Sequence, residues 1–272
     1  MHQKFLLIMI FSMISFFTCA NTITVNNSEL EYEVKGDGEH VVLFEAGAIS
    51  GMAGWDSIWS NLPENVKAIR YSRRGEGHSS SCSGNLTAID YAKDAEELVR
   101  TLQIKAPIIS VSHSYGSKVA RTFTVRNPNK VTAMLFVDPI NPRDVDIIEL
   151  LDPTSGKESN IKLKETDMKM GKDNGWCLIN DIWDKTPSPS FGDIKNIPIT
   201  LIAGVKKHKN SERLFDTNEA RELWGKYQSE WVLKFPRGKA VMAHKSGHFV
   251  QDDEPELVLT ELKKLLIRVT EN

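Results

Sequence analysis

Short apolar runs alternate with longer amphipathic stretches along this chain of 272 residues, and this alternation limits the possible folds more than any other feature. In Ala88–Ile104 and Glu256–Val269, apolar residues recur every three or four positions, which is typical of helices that bury one face. The apolar runs suit strands of a parallel sheet that is covered on both faces. They are Val41–Phe44, Val66–Tyr71, Ile108–Val111, Val131–Val137 and Ile199–Ala203. Strands that alternate with helices predict an α/β fold with a mostly parallel sheet.

Two parts of the chain depart from this alternation. Near the start, Thr22–Val25 and Leu30–Val34 flank a short polar turn, so we predict a hairpin and a sheet that begins antiparallel. Between Asp138 and Ile199 the alternation stops in a polar, proline-punctuated segment. Such a segment is too long for a plain loop in a compact domain. It also contains the large aromatic residues Trp176, Trp183 and Phe191. We therefore predict an inserted lid over about residues 141–192.

The first twenty residues have the composition of a secretory signal peptide. Lys4 precedes an apolar stretch from Phe5 to Phe17, which is too short to span a bilayer comfortably, and Ala20 offers a cleavage site. This predicts a signal peptide at residues 1–20 and a mature domain at residues 21–272. The protein would then be periplasmic or secreted, with no stable membrane insertion after cleavage. An uncleaved membrane anchor and lipid attachment at Cys19 are the alternatives.

Composition and short motifs exclude several classes of function. With 34 Lys and Arg against 36 Asp and Glu, the formal net charge of −2 provides no basic surface for nucleic acid. Three cysteines are too few for a disulfide-rich scaffold. The sequence contains no Cys-x-x-Cys, no His-Glu-x-x-His and no glycine-rich phosphate loop. We therefore expect no metal and no organic cofactor.

Ser114 lies where an apolar strand meets a helix. The strand Ile108–Val111 runs into Ser112-His113-Ser114-Tyr115-Gly116, and a helical stretch follows to Arg126. Small residues at 112 and 116 permit a sharp turn with the Ser114 hydroxyl at the carboxyl end of the sheet. The backbone N–H of Tyr115 would then point at an oxyanion formed there. Ser114 is the predicted nucleophile, and a surface serine in an ordinary turn is the alternative.

Together with this turn, three further segments resemble the α/β-hydrolase family, in that family's order and over nearly the whole mature chain. They are Leu43–Ala48, Arg70–Ser79, and Ser246–Phe249 with the following Glu254–Val258. The resemblance implies that the loop after Phe44 supplies the second oxyanion N–H, from Ala48 or, with one residue of slip, from Ile49. It also implies that His248 takes the Ser114 proton, with His244 as the alternative base. His113, beside the nucleophile, is interpreted as a packing residue.

The acid of the triad is not fixed by the resemblance. In many family members it follows the strand that is here Ile199–Ala203, but Gly204 to Lys209 contains no carboxylate. Asp216 is one candidate, and Asp138 is the other. We predict Asp138, because it ends a buried strand at the sheet edge where this architecture keeps its chemistry. A structural role for Asp138 in capping the turn is the alternative.

These residues predict an exported serine hydrolase. It would cleave an ester-like or amide-like bond of a small-molecule substrate through a Ser-His-Asp triad and an acyl-enzyme. A peptidase or acyltransferase, and a non-catalytic binding protein on the same fold, remain the alternatives. After signal cleavage Cys82 and Cys177 remain, and they would either join the lid to the core in a disulfide or stay as two free thiols.

Overall fold

The computed structural model describes residues 21–185, 194–208, 211 and 213–270. The signal peptide predicted over residues 1–20 lies outside them, as do residues 186–192 of the predicted lid. Across these described ranges, no helix combines the length and apolar character needed to cross a bilayer.

Eight strands form one sheet in the order β1-β2-β4-β3-β5-β6-β7-β8. The β1-β2 and β2-β4 pairs are antiparallel and every other pair is parallel. The strands are β1 Asn21–Val25, β2 Ser28–Lys35, β3 His40–Glu45, β4 Val66–Tyr71, β5 Ile108–His113, β6 Val131–Val137, β7 Ile199–Gly204 and β8 Gly238–Ala243. The mostly parallel sheet with an antiparallel start is confirmed.

The antiparallel start depends on two asparagines. Asn26 and Asn27 join β1 to β2 with φ angles of 47° and 63°. A two-residue hairpin turn of type I′ needs two left-handed residues, and asparagine adopts that conformation more readily than other non-glycine residues.

Helices cover both faces of the sheet, as predicted. They are α1 Asp56–Trp59, α2 Ala88–Thr101, α3 Gly116–Arg126, α4 Asp144–Leu151, α5 Gly156–Asp173, α6 Ile179–Trp183, α7 Asn218–Val232, α8 Val250–Asp253 and α9 Pro255–Thr270. One apolar core packs α2, α3 and α7 against the sheet, and the other packs α1, α8 and α9. These two cores hold the strand ends in place and thereby fix the edge of the sheet where the candidate residues lie.

The order of the strands reverses between β3 and β5. These strands pair in parallel, with Glu45 opposite Ser112, but β3 leads to β4 on one side while β5 leads to β6 on the other. The loops that leave their carboxyl ends therefore diverge and open a crevice at this edge. The turn that contains Ser114 and the loop that contains Ala48 both start there.

Strand β8 and helix α7 are among the elements that have no counterpart in the runs identified in the sequence. Strand β8 is an edge strand whose residues are mostly half-buried, so it lacks the continuous apolar run of the central strands. Helix α7 does have a helical pattern, since its buried residues include Ala220, Trp224 and Tyr227.

The segment between β6 and β7, residues 138–198, contains α4, α5 and α6. We call it the β6–β7 segment. Cys177 of this segment forms a disulfide with Cys82, and the carbonyl of Cys177 accepts a hydrogen bond from the N–H of Leu86 at 2.9 Å. The segment is thereby attached to the chain that precedes α2. Its action as a lid stays a prediction.

Candidate active site

Ser114 occupies a strained turn between β5 and α3. Its φ is 47°, in the left-handed region that serine rarely adopts. Its N–H donates to the carbonyl of Val137 at 3.2 Å, and its own carbonyl accepts from Ser117 at 3.0 Å. The side chain is thus held at the carboxyl end of the sheet.

Gly116 is required for a different reason from the one we predicted. A Cβ at this position would lie 2.4 Å from the carbonyl oxygen of Ala46 and 2.5 Å from that of Glu45. The side chain would therefore collide with the backbone that leaves β3, rather than across the serine turn. Glycine lets α3 start directly beside the loop that contains Ala48.

His248 lies between Ser114 and Asp138. Its Nε2 is 3.0 Å from the Ser114 Oγ, and its Nδ1 is 2.7 Å from Oδ2 of Asp138. Because a carboxylate only accepts hydrogen bonds, Nδ1 carries the hydrogen and Nε2 is left to accept from the serine. The structure therefore brings Ser114, His248 and Asp138 together in one hydrogen-bonded chain.

Asp138 is fully buried at the end of β6, where its φ is 39°. Its second oxygen, Oδ1, accepts from the N–H of Gly204 at 2.9 Å and from the indole N–H of Trp224 at 2.7 Å. Three donors thus surround the carboxylate, which is the condition under which a buried charge is tolerated. We did not identify Trp224 from the sequence, although it lies on the buried face of α7.

Asp216, the other candidate acid, lies elsewhere. It is in a short 3₁₀ turn at Leu214–Asp216, where its carboxylate pairs with Arg221. It makes no hydrogen bond with His248. The alternative base, His244, is exposed at the end of β8 and makes no hydrogen bond with Ser114.

The loop that carries His248 is fixed on several sides. Oε2 of Glu254 accepts from the N–H of Lys245 at 2.9 Å and from the hydroxyl of Ser246 at 2.6 Å. A Cβ at Gly204 would lie 1.7 Å from the carbonyl oxygen of Gly247, so only glycine lets the end of β7 pass this loop. These contacts lie away from the imidazole and leave its two nitrogens available.

His113 does more than pack. Its Nε2 donates to the carbonyl of His248 at 2.9 Å, and the centroids of the two rings are 4.7 Å apart. Burial lowers the pKa of His113 to about 3, so the ring is neutral at ordinary pH. A neutral ring that donates from Nε2 supports the backbone of His248 without placing a charge beside the serine.

The backbone N–H groups of Ala48 and Tyr115 flank the serine. Among the described residues, neither N–H has a hydrogen-bond acceptor. Gly47 brings the loop close, since a Cβ there would lie 2.6 Å from Nδ1 of His113 and 3.5 Å from the Cβ of Ser114. The N–H of Ile49, the alternative donor, is already bonded to Oε1 of Glu76 at 3.0 Å.

Tyr115 is anchored through its side chain as well. Its hydroxyl donates to Oδ2 of Asp181, in α6 of the β6–β7 segment, at 2.8 Å. Oδ1 of the same carboxylate accepts from Nζ of Lys118 at 2.9 Å. The segment is therefore joined to the serine turn through buried polar groups.

In the described ranges, no group of three or more His, Cys, Asp or Glu side chains could hold a metal ion.

Comparisons with known proteins agree with this geometry at the level of the fold. Residues 40–160 match the family model described as alpha/beta hydrolase fold. An AB hydrolase superfamily protein of Gibberella zeae is 23% identical over 280 residues, which covers 83% of this chain and 86% of that protein. The uncharacterized protein YqjL of Bacillus subtilis is 28% identical over 105 residues, covering 39% of this chain. The match spans only 42% of the Bacillus protein.

Two solved structures are similar over almost their whole length. A thermophilic esterase from Thermogutta terrifontis superposes with a TM-score of 0.67 and 16% identity, over 92% of this chain and 99% of the esterase. The enol-lactonase from Burkholderia xenovorans LB400 gives a TM-score of 0.66 and 16% identity, over 91% of this chain and 100% of the lactonase. At this identity the likeness establishes a shared fold.

Proposed function

Since the chain has the α/β-hydrolase fold, we propose that it is a serine hydrolase that cleaves an ester-like or amide-like bond of a small substrate. One observation carries the proposal. The hydrogen-bonded chain from Asp138 through His248 to Ser114, with distances of 2.7 and 3.0 Å, lies beside two backbone N–H groups that have no acceptor within the part of the chain that the structure describes. A nucleophile, a base, an orienting acid and two oxyanion donors are the groups that acyl transfer needs.

In the proposed mechanism, the Ser114 Oγ attacks the carbonyl carbon while Nε2 of His248 takes the hydroxyl proton. The carbonyl oxygen becomes an oxyanion and accepts hydrogen bonds from the N–H groups of Ala48 and Tyr115. Asp138 holds the imidazole in the required tautomer and stabilises the imidazolium that forms.

Collapse of the tetrahedral intermediate breaks the bond to the leaving group. His248 returns its proton to that group, and Ser114 keeps the acyl group as an ester. Water, deprotonated by His248, then attacks the acyl carbon, and His248 returns this proton to the Ser114 Oγ as the acyl–oxygen bond breaks and the acid leaves. Every step uses groups of this chain and one water molecule.

A fluorophosphonate probe tests the proposal directly. We expect the folded protein to be labelled at Ser114 and the Ser114→Ala variant to remain unlabelled. Absence of labelling in the folded wild-type protein would favour a non-catalytic binding protein on the same fold. A panel of nitrophenyl esters and aminoacyl amides, assayed with and without an alcohol acceptor, would separate an esterase from a peptidase and from an acyltransferase.

We also propose that the protein is exported after cleavage behind Ala20. The composition of residues 1–20 supports this, and so does the disulfide between Cys82 and Cys177, because such bonds persist in oxidising compartments. N-terminal sequencing of secreted or periplasmic material should begin at Asn21, the first residue of β1. Detection of Met1 would contradict export, and two free thiols in denatured unreduced protein would contradict the disulfide.

We further propose that the β6–β7 segment acts as a lid over the substrate. Its support is position: α6 of this segment contacts the residue that follows the nucleophile, through Asp181 and Tyr115. Exchange of residues within α4 and α5 should therefore change substrate preference more than it changes the reactivity of Ser114 toward a small fluorophosphonate.

A further inference from the structure

The loop that carries Ala48 contains a strained residue. Ile49 has a φ of 58°, a left-handed conformation that is an outlier for a β-branched side chain. Its side chain does not stabilise this conformation by burial, because Ile49 is 46% exposed. Such strain persists only where surrounding contacts determine the backbone. The contacts that do so here come from another loop.

Arg73 and Glu76, in the loop after β4, bind the backbone on both sides of Ala48. Nη1 of Arg73 donates to the carbonyl of Ala46 at 2.8 Å, and Nη2 donates to the carbonyl of Gly47 at 2.6 Å. Oε1 of Glu76 accepts from Nη2 of Arg73 at 2.8 Å and from the N–H of Ile49 at 3.0 Å. The Ala48 N–H lies between these bonded groups and has no acceptor in the described ranges.

The two side chains are almost completely inaccessible to solvent, with 1% exposure for Arg73 and 3% for Glu76. Arg73 also pairs with Glu45 at 3.2 Å, and its guanidinium lies 5.5 Å from the ring centroid of Tyr115. A buried pair is costly to desolvate and is retained only where its geometry is well satisfied. The cluster thus reaches both proposed oxyanion donors, Ala48 through the loop and Tyr115 through its ring.

We propose that Glu76, oriented by Arg73, is a positioning residue that fixes the Ala48 N–H as the second oxyanion donor. The inference rests on the proposed function, because an oxyanion forms only if Ser114 attacks a carbonyl. Nη2 of Arg73, held by Glu76, binds the carbonyl of Gly47, which belongs to the same planar trans peptide as the Ala48 N–H, so that N–H points away from Arg73. Glu76 fixes the next peptide as well, through the N–H of Ile49. Without Glu76, Arg73 loses one of its two carboxylate partners and the Ile49 N–H loses its acceptor, so the direction of the Ala48 N–H is no longer fixed.

The geometry allows a conservative control at the same position. Oε1 of Glu76 makes both hydrogen bonds, while Oε2 has no partner among the described residues. Glutamine can therefore keep both bonds through its carbonyl oxygen, with its NH₂ replacing the oxygen that is unused. Glu76→Ala removes both bonds.

We expect Glu76→Ala to lower kcat by about 10²-fold, the lower end of the loss seen when one oxyanion donor is removed, with KM nearly unchanged. Glu76→Gln should stay within about tenfold of the wild type. The affinity for a trifluoromethyl ketone, whose adduct with Ser114 carries an oxyanion, should fall in parallel with kcat. A residue with a merely structural role would not link these two quantities.

Asp94→Ala is the matched control for loss of a buried ion pair. Asp94 pairs with the neighbouring Arg74 at 2.7 Å and contacts no part of the Ala48 loop. The Asp94→Ala variant should be less stable than the wild type, with kcat and inhibitor affinity near wild-type values. If Glu76→Ala retains wild-type kcat and inhibitor affinity in an active enzyme, the inference is overturned and the proposed function stands.

A measurement on the unaltered protein applies even if Glu76→Ala does not fold. Amide hydrogen exchange should show a protected Ile49 N–H, in spite of the exposed side chain, beside a fast-exchanging Ala48 N–H. Equal exchange at the two amides would overturn the inference. Failure of wild-type protein to react with the fluorophosphonate would instead overturn the proposed function, and this inference with it.

Discussion

The indole N–H of Trp224 and the imidazole of His248 bind opposite oxygens of one carboxylate, that of Asp138, each at 2.7 Å. Trp224 comes from α7 and is 4% exposed, so water does not replace it as a donor. The indole thereby fixes the rotation of the carboxylate about its Cβ–Cγ bond. That rotation decides which oxygen faces His248 and at what angle.

Trp224→Phe should therefore lower kcat by about tenfold with KM retained, because the carboxylate loses one of its three donors while substrate contacts are unchanged. Steady-state kinetics on a nitrophenyl ester would measure this decrease in kcat. Trp59→Phe is the matched control, since Trp59 also donates from its indole to a carboxylate, that of Glu33, at 2.9 Å. Equal kinetic effects of the two substitutions would contradict the role given to Trp224.

The choice of acid predicts a large difference between two aspartates. Asp138→Asn should lower kcat by about 10⁴-fold with the fold intact, because the amide no longer stabilises the imidazolium or its tautomer. Loss of Ser114 or His248 should cost about 10⁶-fold. Asp216→Asn should stay within roughly tenfold of wild type, since its carboxylate pairs with Arg221. The reverse ranking, with circular dichroism unchanged, would move the acid to Asp216.

The sequence identified those site residues whose neighbours in the chain form a recognisable pattern. Ser114 is marked by a strand, a five-residue turn and a helix that are continuous in the chain. His248 is marked by a glycine before it and a helix soon after it. Asp138 could be proposed because parallel strands end at one edge of a sheet, but choosing it over Asp216 required the topology.

The supporting residues depend on contacts that spacing does not reveal. Trp224 reaches Asp138 across 86 positions, and Glu76 reaches Ile49 across 27. Trp224 lies in a stretch with a helical pattern, and Glu76 lies in a loop that resembles the family's. The sequence does not reveal their hydrogen-bond partners, because these contacts form only when distant elements pack together. The same holds for His113, whose ring meets the backbone of His248 across 135 positions.

The pKa of His113, lowered to about 3 by burial, predicts how stability depends on pH. Between about pH 3 and the ordinary pKa near 6.5, the unfolded chain binds a proton that the folded protein does not. The free energy of unfolding should therefore fall as the pH falls through this window, by about 1.4 kcal/mol per pH unit from this residue. Urea unfolding between pH 4 and 8 would measure the slope.

His113→Gln isolates this contribution, because its amide can still donate to the carbonyl of His248 but does not titrate. The variant should lose less stability on acidification than the wild type. Burial raises the pKa of Glu45 to about 7, so that residue lowers stability as the pH rises from about 4.5 to 7. Its contribution is common to both proteins and cancels in the difference. Identical slopes would show that His113 protonates in the folded state.

The attachment of the β6–β7 segment to the serine turn predicts an asymmetry between single and double substitutions. Asp181 accepts from Lys118, from the hydroxyl of Tyr115 and from the N–H of Ala88, and its side chain is 7% exposed. Asp181→Ala leaves the Lys118 ammonium buried without its carboxylate. It should lower the free energy of unfolding by about 3–5 kcal/mol.

Replacing both charges should cost less than replacing one. In the double variant Asp181→Leu with Lys118→Met, no charge is left uncompensated, and apolar side chains of similar volume occupy the site. Its stability should lie above that of Asp181→Ala in urea unfolding, although the Tyr115 hydroxyl still lacks its acceptor. A double variant less stable than the single one would mean that the uncompensated Lys118 charge is not the main cause of the loss in Asp181→Ala. Labelling at Ser114 should survive in both, because neither substitution removes the backbone hydrogen bonds of Ser114 to Val137 and Ser117.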